Sequence, residues 1–309
     1  MRRFLTAAVV ALAVFAACSS DKTATTTGPE SAKPVAGPTI TVGSANFTES
    51  IVLESIYAQG LKAKGFTVAE KPNIGAREVY FRALQSGSIN FFPEYTGSAL
   101  NYLTKQTDAS KPDADENYRL LTAELKKVKL TAYAMADAQD QDGIVTNKQT
   151  ADKYSLKKVS DLKGHAGELV MGGPPECRTR IACLKGLEEV YGMKFKEFKP
   201  LDAGGPQTIQ ALKSNAIQVA NLFTTDARIK AQGFVLLEHD KPIVGAENVV
   251  PIVRDDLVSA YGSKLKDAVD AITAKLTTDG LTDLNKAVDI DKQDAKTVAA
   301  RWLRENGLV

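Results

Sequence analysis

The chain has 309 residues, 44% hydrophobic and 25% charged, with a formal net charge of +2 at pH 7. This length allows two domains with a sizeable core in each, and the evenly mixed charge leaves no basic stripe for nucleic acid. No apolar run reaches the about 20 residues that span a bilayer.

Arg2 and Arg3 precede an apolar run from Phe4 to Phe15, and Ala16-Ala17 precede Cys18. This pattern predicts a lipoprotein signal peptide over 1–17, cut ahead of a lipidated Cys18. Without Arg2 and Arg3 the formal charge falls to zero. Ser19 to Pro38 holds almost no large apolar residue, so 18–38 is expected to be a disordered tether. Two acyl chains on Cys18 would anchor the protein to the outer face of the cytoplasmic membrane.

From Thr39 onward, strand and helix alternate, which indicates parallel sheets covered by helices. Thr39 to Val42 predicts a strand, broken at Gly43. A helix follows with Ile51, Val52, Ile56 and Leu61 on one side, ended by Gly65. Asn46 and Glu49 have capping-box spacing, which places Asn46, Phe47 and Thr48 at the strand-to-helix turn. Phe66 to Glu70 is a strand, Arg77 to Leu84 a helix, and Ile89 to Pro93 a strand running into Glu94-Tyr95-Thr96-Gly97-Ser98. Tyr118 to Val128 is helical and Ile144 to Thr146 a short strand.

A further round begins with a helix at Ser160 to Leu162 and a strand at Leu169 to Met171. Cys177 and Cys183, the only thiols besides Cys18, lie six residues apart, which favours a disulfide in an extracytoplasmic protein. Loop closure makes it worth roughly 2 to 3 kcal/mol. A metal site lacks ligands, since His165 and His239 have no close Cys or His partner; neither metal nor cofactor is expected. Ile181 to Tyr191 is a helix with Leu184, Leu187, Val190 and Tyr191 inward. Phe195 to Phe198, Gln207 to Lys213, Val219 to Phe223 and Phe234 to Leu237 continue the alternation. Val249 to Val253 is a last strand, followed by three helical stretches ending with Ala295 to Asn306. The chain is expected to cross between lobes near Asp137 to Asp140 and Val244 to Asn248, giving 39–139 plus 245–309 as one lobe and 140–244 as the other.

Several segments in order resemble the substrate-binding lipoproteins of osmoprotectant ABC importers, the ProX-like binders of glycine betaine, choline and carnitine with an OpuAC-type domain. They are Gly43-Ser44-Ala45-Asn46-Phe47-Thr48-Glu49, Phe92-Pro93-Glu94-Tyr95-Thr96-Gly97-Ser98-Ala99 and Leu222-Phe223-Thr224-Thr225-Asp226-Ala227-Arg228. Val190-Tyr191-Gly192 with Phe195, and the tail from Leu284 to Leu308, complete the match. The resemblance implies an α/β, two-lobed periplasmic-binding-protein fold of type II with two crossover strands. It also implies capture of a small osmolyte for an ABC permease and its ATPase, by a monomer without catalysis.

The family's chemistry is a box of rings around a quaternary ammonium, which has no N–H to donate. The resemblance puts Tyr95 and Phe223 on ring positions. It puts Arg180, or Arg178, on the position that pairs with a ligand carboxylate. Ser98 takes a hydroxyl position beside Tyr95 and Asp140 a carboxylate position beside the crossover. Asp142 and Glu247 stand where Tyr is frequent, and Ala45 replaces a polar residue. Asn46, Phe47 and Thr224, inside the matching segments, complete the expected lining. The carboxylates favour choline over glycine betaine. They also admit a hydroxyl-rich or phenolic ligand, or a cleft enzyme with Asp142 and Glu247 as acid and base. Tyr57, Tyr80, Tyr102 and Tyr118, at helical spacings, are expected to be packing residues and Trp302 core.

Overall fold

The computed structural model describes residues 33–106 and 109–309. The leader, Cys18 and most of the expected tether lie outside the described residues. The end of that tether is not free chain. Val35 N donates to Gly65 O at 2.9 Å and Tyr261 Oη donates to Pro38 O at 2.5 Å, so the polypeptide docks on the body from Val35.

The first lobe begins with β1 (Ile40–Gly43), α1 (Thr48–Ala63), β2 (Val68–Lys71), α2 (Arg77–Ser86) and β3 (Phe91–Tyr95). It continues with α3 (Thr96–Thr104), α4 (Ala114–Lys127) and β4 (Leu130–Ala132). The chain then enters the second lobe: β5 (Asp142–Thr146), α5 (Lys148–Tyr154), β6 (Val170–Gly173), α6 (Leu184–Glu189), β7 (Glu197–Pro200), α7 (Pro206–Lys213), β8 (Val219–Phe223), α8 (Arg228–Ala231) and β9 (Val235–Leu236). It returns through β10 (Val249–Arg254) and ends in α9 (Asp255–Tyr261), α10 (Ser263–Thr273), α11 (Thr278–Asp289) and α12 (Ala295–Glu305). The tail thus holds four helices where three were expected, because Gly262, at φ +56°, separates α9 from α10.

Each lobe is built on one five-stranded sheet, in the orders β2-β1-β3-β10-β4 and β7-β6-β8-β5-β9. In each, strands from consecutive strand–helix rounds pair in parallel, while the strand arriving from the other lobe, β10 or β5, pairs antiparallel. The two connecting segments run side by side: Gln139 bridges Asn248, Asp140 N donates to Glu247 O at 3.1 Å, and Ala136 N donates to Val249 O at 2.8 Å. A double connection permits bending while resisting twist, which suits a fold that closes on a ligand.

Helix α1 is buried on almost every side, with Val52, Leu53, Ile56, Tyr57 and Leu61 at 1% exposure or less. It lies among β1, β3 and the tail helices α10, α11 and α12, so this helix, with Glu49, Ser50, Glu54 and Ser55 buried alongside its apolar residues, becomes the spine of lobe 1. In lobe 2, Leu184, Leu187 and Tyr191 face the core as expected. The α6 helix is shorter than predicted because Cys177 and Cys183 form a disulfide, Cα atoms 5.2 Å apart, and its loop occupies the positions before Leu184.

The expected capping box does not form. The N-cap of α1 is Phe47, with no side-chain cap bond, and Glu49 turns inward instead. His165 stacks on Tyr154 at 4.1 Å between ring centroids, and His239 Nε2 lies 3.1 Å from Asp142 O. Trp302 is buried in the lobe 1 core.

Candidate functional site

The carboxyl ends of β1 and β3 and the start of α2 face the ends of β5, β6 and β8 across the gap between lobes. Each of these strand ends turns sharply into a loop or helix, so its side chains project into the gap. The Glu94-Tyr95-Thr96-Gly97-Ser98 segment shows how. β3 becomes α3 at Tyr95, and the turn is tied to the return crossing: Thr96 N donates to Asn248 O at 3.0 Å and Asn248 N to Thr96 Oγ1 at 3.1 Å. A Cβ at Gly97 would lie 2.7 Å from Ala246 O and 3.0 Å from Glu247 Oε1, so only glycine admits this approach.

The interlobe cavity is small, with about 50 Å³ reachable by the centre of a water molecule. This exceeds the about 10–15 Å³ needed to admit one water, so the hollow is open to a small solute. Nine of the ten predicted lining residues are on its wall: Asn46, Phe47, Tyr95, Ser98, Asp140, Asp142, Arg180, Phe223 and Glu247. Thr224 is not. Its side chain alternates to the far side of the strand end, where Oγ1 accepts from Gln141 N at 2.9 Å and donates to Asp140 Oδ1 at 3.1 Å. Arg178 is also turned away, donating to Phe198 O at 3.1 Å and lying 4.6 Å from that ring's centroid.

Rings from both lobes meet here. Phe47, on lobe 1, is 4.8 Å from Phe223, on lobe 2, and 6.2 Å from Tyr95, centroid to centroid. Tyr80 also lines the wall, which corrects its expected role as packing alone. It does both: one face stacks on Phe92 at 3.9 Å, and its hydroxyl donates to Glu94 Oε2 at 2.5 Å. Arg77, one turn earlier on α2, donates to Glu94 Oε1 at 2.6 Å. That buried ion pair keeps the Arg77 guanidinium charged against the cost of its own burial.

Carboxylates dominate the remaining wall. Glu247 accepts from Ser98 N at 3.0 Å and Ser98 Oγ at 2.9 Å, yet burial pushes its pKa up to about 7. Asp140 accepts from Thr225 N at 3.1 Å and is raised by burial and by Glu49. Asp142 Oδ1 accepts from Asn221 Nδ2 at 2.9 Å. Glu176 faces the same space, so Asp140, Asp142, Glu176 and Glu247 oppose Arg77 and Arg180. A cationic group is favoured in this cavity over an anionic one, and its charge in turn favours the ionised forms of Asp140 and Glu247.

Sequence reasoning missed the support behind the rings. Glu49, 3% exposed, accepts from Tyr95 Oη at 2.7 Å, Thr225 Oγ1 at 2.6 Å and Asn285 Nδ2 at 2.7 Å. Burial raises its pKa. This carboxylate therefore fixes the Tyr95 ring and joins β8's following loop to α11 across the lobes. Arg228 reinforces the contact, 2.8 Å from Asp226 and 3.2 Å from Asp289. The signal for Glu49 was a carboxylate two residues before the apolar run 51–53 of α1; that for Arg77 and Tyr80 was a polar pair spaced i, i+3 on α2.

Two sheets doubly connected and closing on a small, ring-walled hollow define a solute-binding protein of the type II class. The family described as the substrate binding domain of ABC-type glycine betaine transport systems, OpuAC, matches residues 38–305. The chain belongs to that family. It is 29% identical over 290 residues to the glycine-betaine-binding protein of Pseudomonas aeruginosa strain PAO1, covering 88% of this chain and 89% of that one. It is 26% identical over 277 residues to the glycine betaine-binding protein YehZ of Escherichia coli strain K12, covering 87% and 90%. The crystal structure of a glycine betaine/carnitine/choline ABC transporter protein superposes with a TM-score of 0.68 at 22% identity, over 88% of this chain and 99% of that one. The protein is thus a substrate-binding protein of an ABC importer, a class that works outside the cytoplasm, and its family is one of solute binders rather than enzymes.

Proposed function

We propose that the protein captures a small quaternary-ammonium osmolyte, with choline as the best-suited simple member, and delivers it to a permease and its ATPase. The observation that carries this reading is the meeting of Phe47 and Tyr95 with Phe223 around a carboxylate-rich cavity. A trimethylammonium offers no N–H, so ring faces and nearby negative charge hold it better than directed acceptors do. The relatives' names support the ligand class. The acidic wall favours choline over glycine betaine, whose own carboxylate would face Asp142 and Glu247.

The lobes, divided near residues 140 and 245, open and close about the two crossings, and the ligand shifts the population because only the closed form lets it touch both. Lipid on Cys18 holds the monomer at the outer face of the cytoplasmic membrane.

A thermal-shift panel tests the ligand class with choline, glycine betaine, carnitine, proline, polyols and phenolic compounds. Choline at 100 times its dissociation constant adds about 2.7 kcal/mol, a rise in melting temperature of roughly 5 °C or more. A rise with a polyol or a phenol and none with any quaternary amine overturns the reading.

A further inference from the structure

The cavity does not end at Arg180. A second hollow of about 650 Å³ adjoins it, and the two share Arg77, Ser98, Asp142 and Arg180 as common wall. The sign of charge reverses between them. The inner cavity sets four carboxylates against two guanidinium groups, whereas the outer hollow sets Arg77, Lys105, Arg180 and Lys185 against Glu78 and Asp142.

We propose that the outer hollow is a subsite for the anionic tail of an elongated zwitterion, a quaternary ammonium carrying a phosphate ester, whose cationic head occupies the ring-walled cavity. This deepens the capture reading above and rests on it.

Arg180 stands at the junction and is the least committed of the buried or half-buried guanidiniums there. Its ion pairs are long, 3.5 Å to Glu78 and 3.8 Å to Glu176, against 2.6 Å for Arg77 to Glu94. A guanidinium has five N–H donors in a fork that matches phosphate oxygens, so Arg180 can turn to a tail without breaking a short bond. Lys105, exposed at the end of α3, and Lys185, 3.6 Å from Glu189 on its own helix, border the same space. A loose pair such as Lys185 with Glu189 is worth little and is readily exchanged.

Reach decides which zwitterion fits. A carboxylate one carbon from the ammonium, as in glycine betaine, stays in the inner cavity among Asp140, Asp142 and Glu247. A tail set further out passes Arg180 and leaves Asp140, Glu176 and Glu247 behind. A phosphate suits several donors at once, because it has three acceptor oxygens and a charge of about −1.5 to −2 at pH 7.

Titration calorimetry of the purified protein at low salt tests the proposal with choline and phosphocholine as probes. Phosphocholine should bind at least about tenfold more tightly than choline, the gain expected from one or two charge-assisted hydrogen bonds. In the double variant Lys105→Gln with Lys185→Gln the preference should fall to roughly threefold or less with choline affinity unchanged, and Arg180→Gln should abolish it. Choline binding equal to or tighter than phosphocholine binding overturns the tail subsite and leaves the capture reading standing. So does a preference that survives in both variants. Binding of neither probe overturns both.

Discussion

Tyr95→Ala is expected to weaken choline binding by about 1–2 kcal/mol, the contribution of one desolvated ring face to a cation, or roughly 5- to 30-fold in titration calorimetry. The same change should lower folding stability by roughly 3–5 kcal/mol in denaturant unfolding, because it empties a buried ring site. It also strips Glu49 of the donor at 2.7 Å that holds one of its oxygens. Tyr95→Phe separates the two effects. The ring remains, so choline affinity should stay within about twofold, while loss of the buried hydroxyl bond costs about 1–3 kcal/mol of stability. Unchanged choline affinity in Tyr95→Ala would remove the ring from the site.

The second large effect is on pH. Burial holds the Glu247 pKa up to about 7 despite its two bonds from Ser98, with Arg77 and Asp142 as opposing charged neighbours. A cation in the cavity favours the ionised form, so choline affinity should rise as pH goes from about 6 to 8, by up to about tenfold in all and mostly below pH 7, and level off above that. Binding should release protons near pH 6.5, visible as a dependence of the calorimetric enthalpy on the buffer. Glu247→Gln should flatten the profile and weaken binding at pH 8. A flat profile in the unaltered protein contradicts the assignment.

Stability of the unliganded protein should run the other way. A carboxyl whose folded pKa lies above its unfolded value of 4.5 stabilises the fold fully below pH 4.5 and loses that contribution as pH rises toward 7. For Glu247 the loss is roughly 3 kcal/mol. Glu54, also held up to about 7 by burial, shifts in the same direction. The free protein is therefore expected to be more stable at pH 5 than at pH 7.5, and choline to narrow the difference.

Much of this architecture was legible from the chain because apolar runs and turn residues set it locally. Val219 to Phe223 was located to the residue, as an apolar run bounded by polar segments, and Phe223 duly ends β8 at the cleft. The misreadings share a cause. Asn46 and Glu49 have the spacing of a capping box, but spacing cannot reveal that Thr225 and Asn285, far away in the chain, satisfy the carboxylate better. Tyr80 follows the helical period whether its ring packs on Phe92 or walls a cavity, and here it does both. Thr224 fell on the wrong side because a strand's alternation carries successive side chains to opposite faces, and Phe223 had taken the inner one. By sequence Arg180 takes the basic position, and one gap in the cysteine loop would hand it to Arg178. Only the position of Phe198, which takes up Arg178, separates them.

Capture as proposed requires that rings from two lobes surround one ligand. The most direct measurement is a crystal structure of the protein grown with choline. The trimethylammonium group is expected within about 6 Å of the ring centroids of both Tyr95 and Phe223, with Glu247 and Asp142 beside it. Choline bound elsewhere, or a cleft that stays empty in crystals grown with saturating choline, rules this site out.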